Sequence, residues 1–168
     1  TEVPAGFVYV PAGRFLYGAA GDEAVRREFF RAQPLHEVST EAYMIARTEV
    51  TFADWLAYLR TLSGGERAAR MPRTTAGASG GIRLDEKSGR FSLMLQPTSK
   101  QYVADEGIAI EYEHRTVRQS ARWERLPVSG ISWDDALAYT AWLDRTGRVV
   151  GARPCTLHEW ERAARGAD

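Results

Sequence analysis

The residues of this chain best placed for chemistry lie between 153 and 166. Cys155 directly precedes Thr156, and Thr156 with Glu159 spells a helix start in which a hydroxyl and a carboxylate satisfy the first free amides. An exposed thiol there meets the positive end of the helix dipole, which favours its thiolate, so a reactive Cys155 has a physical rationale. The alternative is the buried, inert thiol that free cysteines ordinarily are. His158-Glu159 begins as a zinc helix does, but the place of the second histidine is taken by Arg162, so the H-E-x-x-H arrangement fails. His36, His114 and His158 are then expected to be structural polar groups. Glu49, Asp134, Asp135, Glu159, Glu161 and Arg165 admit two readings: buried pairs that hold loops onto helices, or charges beneath a ligand groove that Trp133 and Trp160 would share. Gly18-Ala-Ala-Gly21 lacks the Lys-Ser/Thr of a phosphate loop, and no Ser-His-Asp set is assignable from spacing.

Three helices must position these groups. After Thr156, residues Leu157, Trp160, Ala163 and Ala164 fall on one face, and Glu159, Glu161, Arg162 and Arg165 supply the other, so the helix is expected to dock by its Trp. Ser132 caps a second helix to about residue 146, with Asp135 at the capping-box position, Gly147 as the stop, and Trp133, Leu137 and Trp142 spaced toward the core. Thr51 caps a third over 52–61, with Phe52, Trp55, Leu56 and Leu59 at three- and four-residue spacing. Trp133, Trp142 and Trp160 are predicted to be largely buried, with their helices packed on a small antiparallel sheet.

The strands are shorter. Residues 7–10 and 14–17 suit a hairpin across Pro11-Ala-Gly13, 18–33 reads as an irregular loop with a helical turn, and 35–39 and 42–47 read as strands. From 62 to 125 the character changes: 63–65 and 74–81 are rich in breakers, while 82–84, 91–95 and 107–114 read as strands, the first two joined at Lys87-Ser-Gly89. This is expected to be a folded insertion rather than a second domain. Strands and amphipathic helices without βαβ alternation give an α+β class.

Composition narrows the function. The 168 residues are 44% hydrophobic and 26% charged, as in a folded globular protein. With 22 basic and 22 acidic residues, no summed field gathers nucleic acid or an anionic membrane, and the clusters at 60–83 and 115–125 read as solvated loop charge. One cysteine makes no internal disulfide, and no run approaches the ~18 apolar residues of a membrane span. With no signal-peptide pattern either, a cytoplasmic setting is favoured, and Thr1 is expected to be a processed boundary. Asparagine is absent, so no N-glycosylation acceptor exists.

Four ordered stretches resemble the formylglycine-generating-enzyme/sulfatase-modifying-factor family. Arg153, Thr156, Glu159, Trp160, Glu161, Ala163, Ala164, Arg165 and Gly166 match that family's R-L-P-T-E-A-E-W-E-x-A-A-R-G. Val8-Tyr-Val-Pro-Ala-Gly13-Arg-Phe-Leu-Tyr-Gly18 is similar to V-x-I-P-G-G-x-F-x-M-G, residues 41–51 to F-x-I-x-x-x-E-V-T-N, and residues 127–136 to P-V-x-x-V-S-W-x-D-A. Phe52 stands where the family has Asn, Pro154 where it has Leu, and Cys155 where it has Pro.

The resemblance implies a C-type-lectin-like form of the α+β fold. It makes residues 1–168 the N-terminal part of one domain, with an elaborated insertion at about 62–125, and not a complete fold alone. The family's copper-binding cysteine pair belongs to a second half, so copper or calcium is expected only with that half, and no catalytic, cofactor or metal residue is assigned here. The expected partner is that remainder of the domain or another polypeptide. Three classes follow from the resemblance: copper-dependent formylglycine-generating oxidases of sulfatase cysteines, iron-dependent sulfoxide synthases, and binding or sensory modules appended to larger proteins such as bacterial serine/threonine kinases. The wording of 151–168 and the long insertion resemble the last class most.

Overall fold

A computed structural model describes residues 3–30, 32–74 and 80–166. The chain forms two compact units, one from Thr1–Arg47 with Pro154–Asp168 and the other from Thr48–Arg153.

In the first unit, β1 (Phe7–Val10) pairs antiparallel with β4 (Tyr43–Ala46), and β2 (Gly13–Tyr17) pairs antiparallel with β3 (His36–Thr40). The strands form where the sequence places them, but the hairpin expected between 7–10 and 14–17 does not. Only Pro11 and Ala12 separate β1 from β2, and Gly13 is not in the left-handed region, so the chain has no residue able to make the tight primed turn. Each strand instead finds its partner some thirty residues on. The polar stretch between β2 and β3 holds the expected helical turn: α1 (Glu23–Val25), whose amides the Asp22 carboxylate accepts, followed by a wide π-turn over Arg26–Phe30. The unit closes with α5 (Leu157–Arg165), opened by the Thr156–Glu159 capping box and ended at Gly166 with φ 89°.

In the second unit, α2 (Phe52–Leu59) opens on a capping box of Thr51 and Asp54. α3 (Gly64–Ala69) follows, where the glycines had pointed to a loop; Ser63 and Glu66 close a capping box that outweighs the helix-weakening Gly64 and Gly65. Then β5 (Gly81–Lys87), β6 (Arg90–Gln96) and β7 (Tyr102–Asp105) form an antiparallel sheet in that order. The β5–β6 turn sits at Ser88-Gly89 with φ 52° and 78°, the primed geometry of a tight hairpin. β8 (Ala109–Glu111) pairs with β9 (Ser120–Arg122), which runs into a 3₁₀ turn at Trp123–Arg125, and α4 (Trp133–Arg145) follows with its Ser132–Asp135 capping box. β7 and β9 carry no alternating apolar pattern long enough to mark them. Residues 75–79 of the breaker-rich stretch lie outside the described residues.

One core joins these elements: Phe52, Trp55, Leu56, Tyr58 and Leu59 of α2, Ile82 to Ala104 positions of the sheet, Ile110, Trp123, and Tyr139 and Trp142 of α4. Phe52, the residue standing in for the family Asn, sets its ring edge-on to Trp123 at 5.7 Å. Helix α4 therefore packs on a helix rather than on a sheet: Trp55 stacks on Tyr139 at 5.4 Å, and Tyr58 meets Tyr139 and Trp142 at 5.6 and 5.3 Å. Burial inside this cluster pushes the Tyr139 hydroxyl up to about 12.

Of the three tryptophans predicted to be buried, only Trp142 is, at 4% exposure; Trp133 and Trp160 are 64% and 57% exposed. At about 100° per residue, the nine positions from Trp133 to Trp142 put them on opposite sides of α4, so Trp133 and Leu137 face outward when Tyr139 and Trp142 face in. Among the described residues no helix is long and apolar enough to cross a membrane. The α4–α2 packing makes a direct prediction: Tyr139→Ala costs about 3–5 kcal/mol as other buried aromatic truncations do, whereas Trp133→Ala stays within about 0.5 kcal/mol. Urea unfolding of the two variants checks it, and the reverse order would overturn the packing.

Candidate functional site

Helix α5 meets the β2–β3 ribbon with its charges rather than its Trp. Arg162 is 4% exposed; its Nη1 donates to Gly13 O at 3.0 Å, to Thr40 O at 3.4 Å and to the Thr40 hydroxyl. Gly13 and Thr40 are the facing pair at the end of that ribbon, so one guanidinium serves both strands at their last rung. A Cβ on Gly13 would lie 2.7 Å from Arg162 Nη2, which is why glycine fits there. Three residues on, Arg165 donates to Leu16 O at 3.0 Å and Gly18 O at 2.6 Å, while the Gly18 amide donates to Glu161 at 2.9 Å. Arg165 and Glu161 are themselves paired at 3.2 Å. Gly18 takes φ 98°, and a side chain there would strike the carbonyls of Gln33 and Pro34 at 2.6 Å.

Glu159, also buried, accepts the Thr156 amide at 2.8 Å, and its own carbonyl accepts the Tyr43 hydroxyl at 2.5 Å. Burial raises the Tyr43 hydroxyl above its ordinary value although Arg162 opposes the shift. The Tyr17 ring lies edge-on between His158 at 4.6 Å and His36 at 5.6 Å, and the His36 Nδ1 sits 2.7 Å from Pro34 O. These histidines pack and bond locally; the third, His114, is exposed in the loop between β8 and β9 with φ 62°.

The sequence candidates thus divide. Arg165 lies on the β2–β3 ribbon with Glu161 and with Arg162, which sequence reasoning left among the polar-face residues without a role, whereas Glu159 closes the cap of α5 and meets Tyr43 of β4 through its carbonyl. Trp160 points away from them. Cys155 is exposed rather than buried. In the other unit Asp135 caps α4 and binds Arg70 at 2.8 Å, while Glu49, Trp133 and Asp134 are exposed. Burial disfavours the Asp135 charge, yet the amide and hydroxyl of Ser132 and the Arg70 guanidinium outweigh it and hold the carboxyl below the usual range.

Among the described residues no group of three or more His, Cys, Asp or Glu could hold a metal ion. The chain's one thiol does not fit Cu(I), which takes at least two soft ligands. A cleft of about 360 Å³ in the second unit, which no motif marks, is lined by Ala53, Leu56, Arg60, Glu106, Gly107, Arg122 and Glu124. Its walls come from segments far apart in the chain, and only the basic run at 115–125 hinted at one of them.

A family model described as the sulfatase-modifying factor enzyme 1-like domain matches residues 1–168. No curated protein shows significant similarity to the chain.

Two predictions follow from the bonds above. Arg162→Met, which keeps length and loses the donors, leaves the Gly13 and Thr40 carbonyls unpaired at about 1–3 kcal/mol per buried group; faster amide exchange in β2, β3 and α5 is the readout, and unchanged protection would contradict it. For Asp135, whose folded value is depressed, the stabilisation is present above the unfolded value of about 3.9 and is lost as pH falls through the folded value. Asp135→Asn therefore lowers stability by about 1–2 kcal/mol at pH 7, with the gap to wild type closing as the pH is lowered below about 4. A gap that persists at pH 2 would show that the charge is not its source.

Proposed function

This chain belongs to the sulfatase-modifying factor enzyme 1-like family, and we propose that it acts as a non-catalytic, ligand- or protein-binding sensory module of a larger, multidomain bacterial protein. The proposal includes the C-type-lectin-like fold and a parent of the type in which such domains are appended to serine/threonine kinases. The observation that carries it is the orientation of α5. Because Arg162 and Arg165 are spent on the strands, Leu157 and Trp160 are left 75% and 57% exposed on the outer side, beside exposed Ala163 and Ala164. A helix stripe of one large aromatic, one Leu and two small residues is the surface that an apolar polypeptide segment covers. The partner proposed for it is a polypeptide, the remainder of the domain or a second protein chain.

The enzyme reading makes the chain the N-terminal part of a copper-dependent formylglycine-generating oxidase acting on a sulfatase cysteine, with its cysteine pair in the other half. It draws on family membership alone. Nothing in this chain's donor set supports it, since Cys155 is the single sulfur nucleophile.

Two measurements test the proposal. Leu157→Ser/Trp160→Ser is expected to lower binding of a hydrophobic dye several-fold with little change in the melting temperature; a large fall in melting temperature would mean that this face is already packed. Incubation of the chain with Cu(I) and a cysteine-containing sulfatase peptide is expected to yield no aldehyde by mass spectrometry, and turnover would replace the binding-module reading with the enzyme.

A further inference from the structure

We propose that the charged cleft of the Thr48–Arg153 unit is a binding site for a small organic carboxylate with a short apolar stem. This goes beyond the α5 face and uses none of its residues, so either reading can fail without the other.

The argument is an account of donors and acceptors. Arg60, at the C-cap of α2, gives only Nη2 to Glu106, touching Oε1 at 2.6 Å and Oε2 at 2.7 Å, with its guanidinium 5.2 Å from the centre of the Phe91 ring. Glu124 is more than nine-tenths buried; its Oε1 accepts the Gly107 amide at 2.5 Å and its Oε2 accepts Arg122 Nε at 3.3 Å. Burial works against the Glu124 charge, but the Gly107 and Glu124 amides and Arg122 outweigh it, so the carboxylate stays ionised and committed to these partners.

Each carboxylate oxygen of the cleft thus already accepts from one donor. The guanidiniums keep more in reserve: Arg60 Nε and Nη1, and both Nη groups of Arg122, have no hydrogen-bond partner among the described residues. What the walls still offer is one open planar fork that matches a carboxylate, the Nη1/Nη2 edge of Arg122, with single N–H donors from Arg60 beside it. Ala53 and Leu56 of α2 supply an apolar wall beside them. A cleft of about 360 Å³ holds a ligand of about ten heavy atoms, at ~30 Å³ for each water displaced. A neutral ligand forgoes the charge-assisted bond to the Arg122 fork, and a large polyanion finds no net charge, because two arginines face two glutamates.

The test is nitrogen-15 NMR of the chain titrated with benzoate, benzamide and inorganic phosphate. Benzoate is expected to move the Gly107 amide and the Arg60 and Arg122 Nε signals with saturation at millimolar concentrations, with benzamide leaving them in place and phosphate at least about tenfold weaker, the loss of the apolar contact. Arg122→Gln, at an exposed side chain whose loss leaves the fold intact by its amide spectrum, is expected to weaken benzoate at least about tenfold, and Arg122→Lys to restore part of it. Equal shifts from benzamide, phosphate binding as tightly as benzoate, a response untouched by Arg122→Gln, or no saturable shift would each overturn the proposal.

Discussion

The buried guanidinium of Arg162 is the constraint on which the first unit depends. A two-stranded ribbon is marginal by itself, and its end leaves carbonyls with no ladder partner. Gly13 and Thr40 are such a rung, and Arg162 satisfies both at once while also engaging the Thr40 hydroxyl. A charge taken this far out of water needs acceptors, and Nη1 alone finds three, while Nε is buried with no partner among the described residues. Gly13 follows from the same contact, since any side chain there would occupy the space of the guanidinium.

Once Arg162 is placed, the remaining orientation of α5 has no freedom. Arg165 lies one turn on and reaches the carbonyls past the middle of β2, Glu161 takes the Gly18 amide, and Tyr43 from the other ribbon closes on the Glu159 carbonyl. The two ribbons are thereby tied to one helix through polar bonds, and the apolar stripe is left outside. A helix docked by its grease would have buried Trp160 and released the ribbon carbonyls to water.

The Thr48–Arg153 unit is built by the opposite means. Its α2 carries five core side chains in eight residues, and aromatic edges and faces from α4 and the 3₁₀ turn close on them. That density fixes where α2 ends, and so where Arg60 stands. The same core brings the Glu106-Gly107 turn beside the 3₁₀ turn, where Trp123 donates to Asp105 O at 3.1 Å and Glu124 accepts the next amide but one. The charged cleft is thus a by-product of apolar packing: residues distant in sequence become its walls because Trp123 has to be buried.

Local chemistry was legible in the sequence and partner choice was not. The caps at Thr51, Ser132 and Thr156 are set by side chains within three residues of one another, so their signal is complete in a short window, and each stands as read, with Asp54 closing a box at Thr51 as well. The fourth, at Ser63, carries the same signal and was hidden by the glycines inside it. The strands at 7–10 and 14–17 were legible, but their pairing depended on segments some thirty residues away and on Gly13 keeping an ordinary φ. Helical periodicity marks that α5 has two faces; it does not say which is inward. That choice was made by the acceptors on β2 and β3, because leaving buried carbonyls unpaired costs about 1–3 kcal/mol each, comparable with the ~1.5–3 kcal/mol gained by hiding one large apolar side chain. With two arginines and a glutamate all finding backbone partners on the same ribbon, the polar face won.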